Sequence, residues 1–243
     1  MPSAAPLGVT GQVGEGFFQD RSSGELCQAT EKLFCFDWAA ENIGRYASPT
    51  VQHLELVGIS VLAGFAIAFA LALLAHRHRW LKPPLLAGTG VLYTIPSVAF
   101  FFLLLPITGR GVDTAIIALT AYTLQIIYRN TMIGLENVPR SVKDAARGMG
   151  LTRRQLLWRV ELPLATPEIV AGLRIATVST VALATLAVFA GGGGLGDPIY
   201  AQINFKTNII IAGGIAMLMA ISFDLILLAV QRLTTPWRRV EGA

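Results

Sequence analysis

The sequence predicts an all-α, polytopic membrane protein with five transmembrane helices, its N-terminus outside and its C-terminus in the cytoplasm. Three observations carry that expectation. Of 243 residues, 53% are hydrophobic and 14% charged, against roughly a quarter charged in soluble domains. Five runs, 52–75, 85–105, 112–128, 168–190 and 208–230, are nearly free of charge and approach the roughly 20 residues that a hydrocarbon core of about 30 Å demands. The Lys and Arg residues, finally, fall in alternate loops. Backbone polar groups in lipid must be satisfied within the chain, so such runs are helical, and no barrel-type alternation is visible.

Residues 1–51 form an arm before the first span. Its first 36 or so residues are rich in Gly and Ser, with Phe17, Phe18, Phe34 and Phe36 as the large apolar content, too little for a core of their own. The basic-then-apolar pattern of a cleaved secretory signal is not seen, so the first span is expected to direct insertion. Cys27 and Cys35 lie in this outside segment, where an oxidising compartment permits a disulfide; two unpaired thiols are the alternative. Asp37 to Thr50, with Trp38, Ile43 and Tyr46, reads as a short interfacial helix leading into the membrane.

Charge sets the topology of the spans. Residues 76–84 carry Arg77, Arg79 and Lys82, residues 129–167 carry seven basic residues, and the tail 232–243 carries Arg232, Arg238 and Arg239. The opposite loops hold only Arg110 and Lys206, and the arm holds three basic against six acidic residues. The positive-inside rule places the basic loops in the cytoplasm. The net charge of +4 is therefore a topology signal, and no nucleic-acid partner is expected. The transmembrane domain spans 52–231, with a cytoplasmic loop at 136–163.

The second span contains Pro96, which removes a backbone hydrogen bond and kinks the helix. The third is the shortest and can extend to about 134. Thr94, Ser97, Tyr122, Gln125, Thr180 and Thr185 are polar groups within apolar helices and so candidate lining of a path through the membrane. Ser and Thr in spans also bond their own backbone, which is the plainer reading of each singly. Tyr93, Phe100, Phe101, Tyr122 and Phe189 offer aromatic faces of the kind that hold quaternary ammonium groups.

The loop at 139–163 has repeated cap signals. Ser141 with Asp144 three residues on reads as one helix start, and Gly150 as its left-handed end. Thr152 with Gln155 reads as a second start, and Pro163 as its stop. On the second helix Leu156, Leu157, Val160 and Leu164 form an apolar stripe, with Arg153, Arg154, Gln155, Arg159 and Glu161 around the remainder. Such a helix can pack on the protein's own spans and present a basic face either to lipid headgroups or to a groove on a soluble partner.

The fourth span carries Arg174 and the fifth Asp224, each about six residues from the cytoplasmic face, hence roughly 9 Å deep at 1.5 Å per residue. An unpaired charge there costs at least about 2.5–3.5 kcal/mol, so a mutual pair is the expectation. Between these spans lies AGGGGLGDPIY. Gly191, Gly193 and Gly196 satisfy G-x-G-x-x-G, but no strand-turn-helix context surrounds them, and the expectation is a flexible outside loop. No G-x-x-x-x-G-K-[ST] phosphate loop occurs. His53, His76 and His78 are expected to form no metal or catalytic set, the last two sharing a cytoplasmic loop with no carboxylate nearby.

The string Asp144-Ala145-Ala146, three residues, Gly150, nine residues, Val160, one residue, Leu162-Pro163 resembles the EAA loop of ABC importer permeases. IYRNTMIGLENVP before it, ATPEIVAGLRIA after it, AGGGGLGDPIY and YTIPS fit as well, so that the resemblance covers roughly residues 50–235. It is nearest to the permease subunits of osmoprotectant importers, for glycine betaine, choline, carnitine or proline. Asp144 stands where the family usually has Glu, and Val160 where it often has Ile.

The resemblance implies a type I importer permease fold and coupling to a cytoplasmic ATPase subunit through Asp144, Ala145, Ala146, Gly150, Leu151, Thr152, Arg153, Arg154, Leu156 and Pro163. It implies ATP and Mg held by that ATPase, with no cofactor on this chain, a second permease (a copy or a paralogue) and an extracytoplasmic solute-binding protein. Tyr93, Pro96, Ser97, Phe101, Tyr122, Gln125, Thr180 and Thr185 are then candidate lining of the translocation path in the inner membrane. An amino-acid importer, for methionine for example, is the nearest alternative. An ion-coupled secondary transporter would show more spans, internal repeats and more than one deep carboxylate; a membrane scaffold would move nothing.

Overall fold

Residues 33–235 are described by the computed structural model, and among them every regular element is helical. Cys27, Phe17, Phe18, Arg238 and Arg239 lie outside the described residues. The order is α1 (Phe36–Asn42), a 3-10 turn (Ile43–Tyr46), α2 (Ala47–Arg77), α3 (Lys82–Thr94), α4 (Ser97–Thr108), α5 (Val112–Asn137), α6 (Arg140–Gly148) and α7 (Arg153–Leu156). A π turn (Leu157–Glu161) then leads into α8 (Leu162–Ala184), α9 (Gly196–Ala201) and α10 (Lys206–Thr234).

Phe36–Arg77, Arg153–Ala190 and Lys206–Thr234 are long and apolar enough to cross a bilayer; α3 and α4 qualify together but meet at 99°. The expected second span is thus a broken helix. Pro96 has no N–H to continue the ladder, and Ile95 before it is extended at φ −66°, ψ 128°, as a residue preceding proline prefers. α5 has 26 residues, about 39 Å at 1.5 Å each, but is less apolar than the others. Its position explains this: α2, α8, α3 and α4 all pack against it, so its side chains meet protein more than lipid. Tyr128, Ile127, Leu119 and Leu135 are fully buried.

Lipid tails are as apolar as leucine, so helices in a bilayer are held by close van der Waals fit rather than by water exclusion. Small residues provide it here. A Cβ added to Gly64 of α2 would lie 1.7 Å from Thr123 Oγ1, and one on Gly172 of α8 would lie 2.4 Å from Asn130 Cβ. Both contacts bring a helix backbone directly onto α5.

The segment Asp37 to Thr50 is not one unbroken α-helix. α1 ends at Asn42 and α2 begins at Ala47, and the turn between them docks on the start of α10. Trp38 meets Phe205 edge-on at 4.6 Å, Tyr46 donates its hydroxyl hydrogen to Asn208 Oδ1, and Cys35 N–H donates to Thr207 Oγ1 at 3.0 Å. The Cys27–Cys35 bridge remains a proposal.

Candidate coupling surface and helix break

The elbow is α6, a turn at Gly150, α7 and the π turn. α6 starts at Arg140 behind Pro139, with no side-chain cap; the expected Ser141–Asp144 start does not form, because Pro139 with its fixed φ already sets the first turn. Asp144 instead pairs with Arg147 at 2.9 Å, both well exposed. At the other end Leu151 N–H donates to Ala146 C=O at 3.2 Å and Gly150 N–H to Arg147 C=O at 2.9 Å, the paired bonds of a Schellman stop. Gly150 sits at φ 83°, which a Cβ disfavours.

Thr152 then caps α7: its Oγ1 accepts from Gln155 N–H while Gln155 Oε1 accepts from Thr152 N–H at 2.9 Å. Pro163 does not stop this helix. Its ring would press on the Arg159 carbonyl in a regular ladder; the π turn over Leu157–Glu161 widens the helix just before it, and α8 continues with Pro163 in its first turn. One extra residue in a turn rotates the residues beyond it by about 100°.

That rotation alters the faces. Leu156 is buried, and Leu157, Val160 and Leu164 are half-buried. Glu161, expected among the exposed polar residues, is 5% exposed. Its Oε2 lies 2.9 Å from His76 Nε2 and its Oε1 3.2 Å from Lys143 Nζ, so His76 does have a carboxylate beside it, one that lies 85 residues away in sequence. Ala146 is buried, whereas Asp144, Ala145, Gly150, Thr152, Arg153, Arg154 and Arg159 are exposed and Leu151 and Pro163 half-buried. Met149 (74%) and Trp158 (54%) are exposed among these arginines, and Thr152, Arg154, Gln155, Trp158 and Arg159 line a recess of about 410 Å³. The cap pattern points to this surface; nothing in it singles out Trp158.

At the break between α3 and α4 the freed Ile95 carbonyl accepts the Tyr122 hydroxyl hydrogen. Tyr93 and Phe100 stand edge-on to Tyr122, at 6.1 and 5.7 Å. The structure therefore gathers Tyr93, Pro96, Phe100 and Tyr122 at one place, with Ser97 opening α4 beside them. The remaining expected path residues do not join them. Phe101 is fully buried in the core, and Phe189 packs with Phe102 and Tyr200. Thr180 and Thr185 donate to Ala176 and Ala182 carbonyls, each at 2.7 Å, and Thr94 to that of Val91 at 2.8 Å. Gln125 accepts from Thr89 of α3.

Arg174 and Asp224 meet as a fork: Nε to Oδ1 at 3.0 Å and Nη2 to Oδ2 at 2.9 Å. Gln231, which no sequence signal marks, completes the set by accepting from Arg174 Nη1 at 3.1 Å and donating to the Pro167 carbonyl at 2.8 Å. An open cleft of about 660 Å³ between α8 and α10 runs beside this network.

The glycine-rich loop at the far end is not loose. His53 is fully buried; its Nδ1 accepts from Leu195 N–H at 3.3 Å, so Nε2 carries the hydrogen and donates to Val181 C=O at 3.0 Å. Gly194 N–H donates to Gln52 Oε1 at 3.2 Å. Gly191, Gly193 and Gly194 have φ of 76°, 76° and 84°, which lets the chain track these side chains closely. Partial burial raises the carboxyl of Asp197 just after the loop.

The helical bundle with a basic elbow at one end is that of a class of protein, the membrane component of a transport system. More narrowly, the chain is a member of the binding-protein-dependent transport system inner membrane components, the family that matches residues 60–240. It is 38% identical over 203 residues to the osmoprotectant import permease protein OsmW of Salmonella typhimurium, covering 81% of this chain and 94% of that one. With the choline transport system permease protein OpuBB of Bacillus subtilis it shares 34% over 197 residues, covering 80% and 91%. Among solved structures it superposes on a chain of the MetNI methionine ABC transporter, inward facing, with a TM-score of 0.64 at 23% identity, covering 76% and 95%. An amino acid ABC transporter with histidines gives 0.69 at 18% identity, covering 81% and 97%. The fold is thus that of type I importer permeases.

Proposed function

We propose that this chain is the permease subunit of an ATP-driven importer of compatible solutes (glycine betaine, choline, carnitine or proline), moving solute by alternating access. The observation that carries the reading is the elbow: a rigid two-helix element, its turn and second helix closed by caps, whose outward face is arginines, Trp158 and Met149. A partner ATPase closing on ATP would move this face, and α8, continuous with α7 through the π turn, would carry the motion into the bundle. Two permeases would enclose the path, and a solute-binding protein would deliver the solute from outside. The solute class rests on relatives named for osmoprotectant and choline transport.

Five spans with the N-terminus outside go with this reading: α5 serves as the one span wrapped by others, and the basic loops fall on the elbow's side. The aromatic group at the α3–α4 break is the part of the path suited to a quaternary ammonium group.

The test is competition for uptake. Proteoliposomes holding the permease, its ATPase and its binding protein should take up radiolabelled glycine betaine or choline with ATP, and unlabelled betaine, choline, carnitine or proline should compete. Competition by methionine alone would replace the solute class with the amino-acid alternative. Gly150→Asp should insert normally but hydrolyse ATP without uptake; normal uptake would remove the elbow from the mechanism.

A further inference from the structure

Glu161 is a carboxylate that the elbow's outward face does not use. Ionised carboxylates are almost never this buried unless each oxygen has a partner, and here each does. Oε2 meets His76 Nε2 at 2.9 Å and Oε1 meets Lys143 Nζ at 3.2 Å. Lys143 donates a further bond to the Leu135 carbonyl at 3.1 Å, one of the last carbonyls of α5, which have no partner within their own helix. The four residues come from four elements: the last turn of α2, the end of α5, α6 and the π turn.

We infer that Glu161 is a positioning residue, a clasp that fastens the elbow to the end of α2 so that the two move as one body when the elbow is driven. Covalent continuity already ties the elbow to α5 and α8; nothing covalent near the elbow ties it to α2. A buried carboxylate held by two hydrogen-bonded groups resists opening, because separation leaves a charge without a partner in a medium of low dielectric. The π turn gives the clasp its aim. Without the additional residue Glu161 would point about 100° away around the helix. Pro163, four residues after Arg159, is the reason that the turn is widened there. α2 is the longest helix of the bundle at 31 residues, and its other end holds the glycine loop through Gln52 and His53. A pull on His76 is therefore delivered along a single rod to the opposite end of the molecule.

The inference rests on the elbow being the surface that a motor moves, as proposed above. Its test uses the full permease–ATPase–binding-protein complex in proteoliposomes and reads solute taken up per ATP hydrolysed. Glu161→Ala should lower that ratio about tenfold, the factor that a hydrogen bond to a charged group is worth, with the ATPase still bound in equal amount. His76→Gln, whose amide still donates to the carboxylate, should keep the ratio within about twofold. The double variant His76→Cys/Glu161→Cys should behave like Glu161→Ala until a short bifunctional thiol reagent joins the two positions, and then recover. A merely structural role would lower the amount of complex without altering the ratio, and joining the positions would not restore it.

An unchanged ratio in Glu161→Ala, or loss of uptake when the two positions are joined, overturns the clasp. If Glu161→Ala does not assemble, the joined double variant decides alone: uptake supports the clasp and arrest overturns it. A wild-type complex that shows no ATP-dependent uptake of any solute instead overturns the parent reading, and is recognised by its independence of any substitution.

Discussion

The two ends of the bundle are fastened by opposite chemistry. At the glycine-loop end, Gln52 and His53 accept backbone N–H groups from Gly194 and Leu195; the partners are neutral and the fit is so close that side chains are excluded. At the elbow end a buried charge holds helix to helix, and the rest is exposed arginine, methionine and tryptophan. Neutral bonds to backbone fix one conformation and cost little to bury. Charged contacts between side chains of separate helices bind as firmly and tie those helices into one body. The first suits a loop that must keep its shape against α2, the second an element that is pushed.

The contrast can be broken where it is strongest. Gly196→Ala should cost about 2–3 kcal/mol, typical of forcing atoms into a filled site, because the new Cβ would lie 2.0 Å from the Thr185 carbonyl oxygen. The denaturation midpoint in detergent reports it, and an unchanged midpoint would mean that the loop is not held. His53→Ala removes the buried ring that partners both the Leu195 N–H and the Val181 carbonyl and should cost about 2 kcal/mol, read in the same way, with hydrogen exchange rising at Leu195 in particular. On the other side Thr152→Ala, which deletes the α7 cap, should cost about 1 kcal/mol. That loss should be seen as faster exchange over Arg153–Leu156, with the global midpoint little changed. The smallest effect is expected for Asp144→Asn: an exposed pair with Arg147 is worth at most about 0.5 kcal/mol, so the midpoint should not move. A drop of several degrees there would mean that the elbow is more tightly built into the bundle than its exposure indicates.

Sequence signals that act locally are readable. The apolar runs mark α2 and α10 to within about five residues of their ends, whereas the run at 168–190 is shifted six residues past α8 at both ends, because α8 begins at the polar elbow and gives way to a 3-10 turn over Thr185–Ala190. Gly150 and the Thr152–Gln155 box are recognisable because caps depend on residues three or four apart. Depth alone brings Arg174 and Asp224 into consideration, since charge in lipid demands a partner. The features that escape depend on contacts far along the chain or on competing roles for one residue. Pro163 reads as a stop until a π turn makes room for it. Glu161 reads as exposed until that turn rotates it toward His76, and the glycine loop reads as loose until residues 142 positions earlier receive its N–H groups. The break at Pro96 is visible as a kink, but neither its 99° angle nor the donor that the open Ile95 carbonyl finds in Tyr122 of a third helix is written in the local sequence.

The polarity of α5 bears on how the protein is made. α5 emerges from the ribosome together with α2 to α4, but the helix that covers its Gly134 and Asn130 side, α8, is completed only roughly 50 residues later. At about 5–20 residues per second that is an interval of several seconds in which a comparatively hydrophilic helix has one flank uncovered. The insertion machinery has to shelter it for that time, and a nascent chain halted between the two should be a ready target for membrane quality-control proteases.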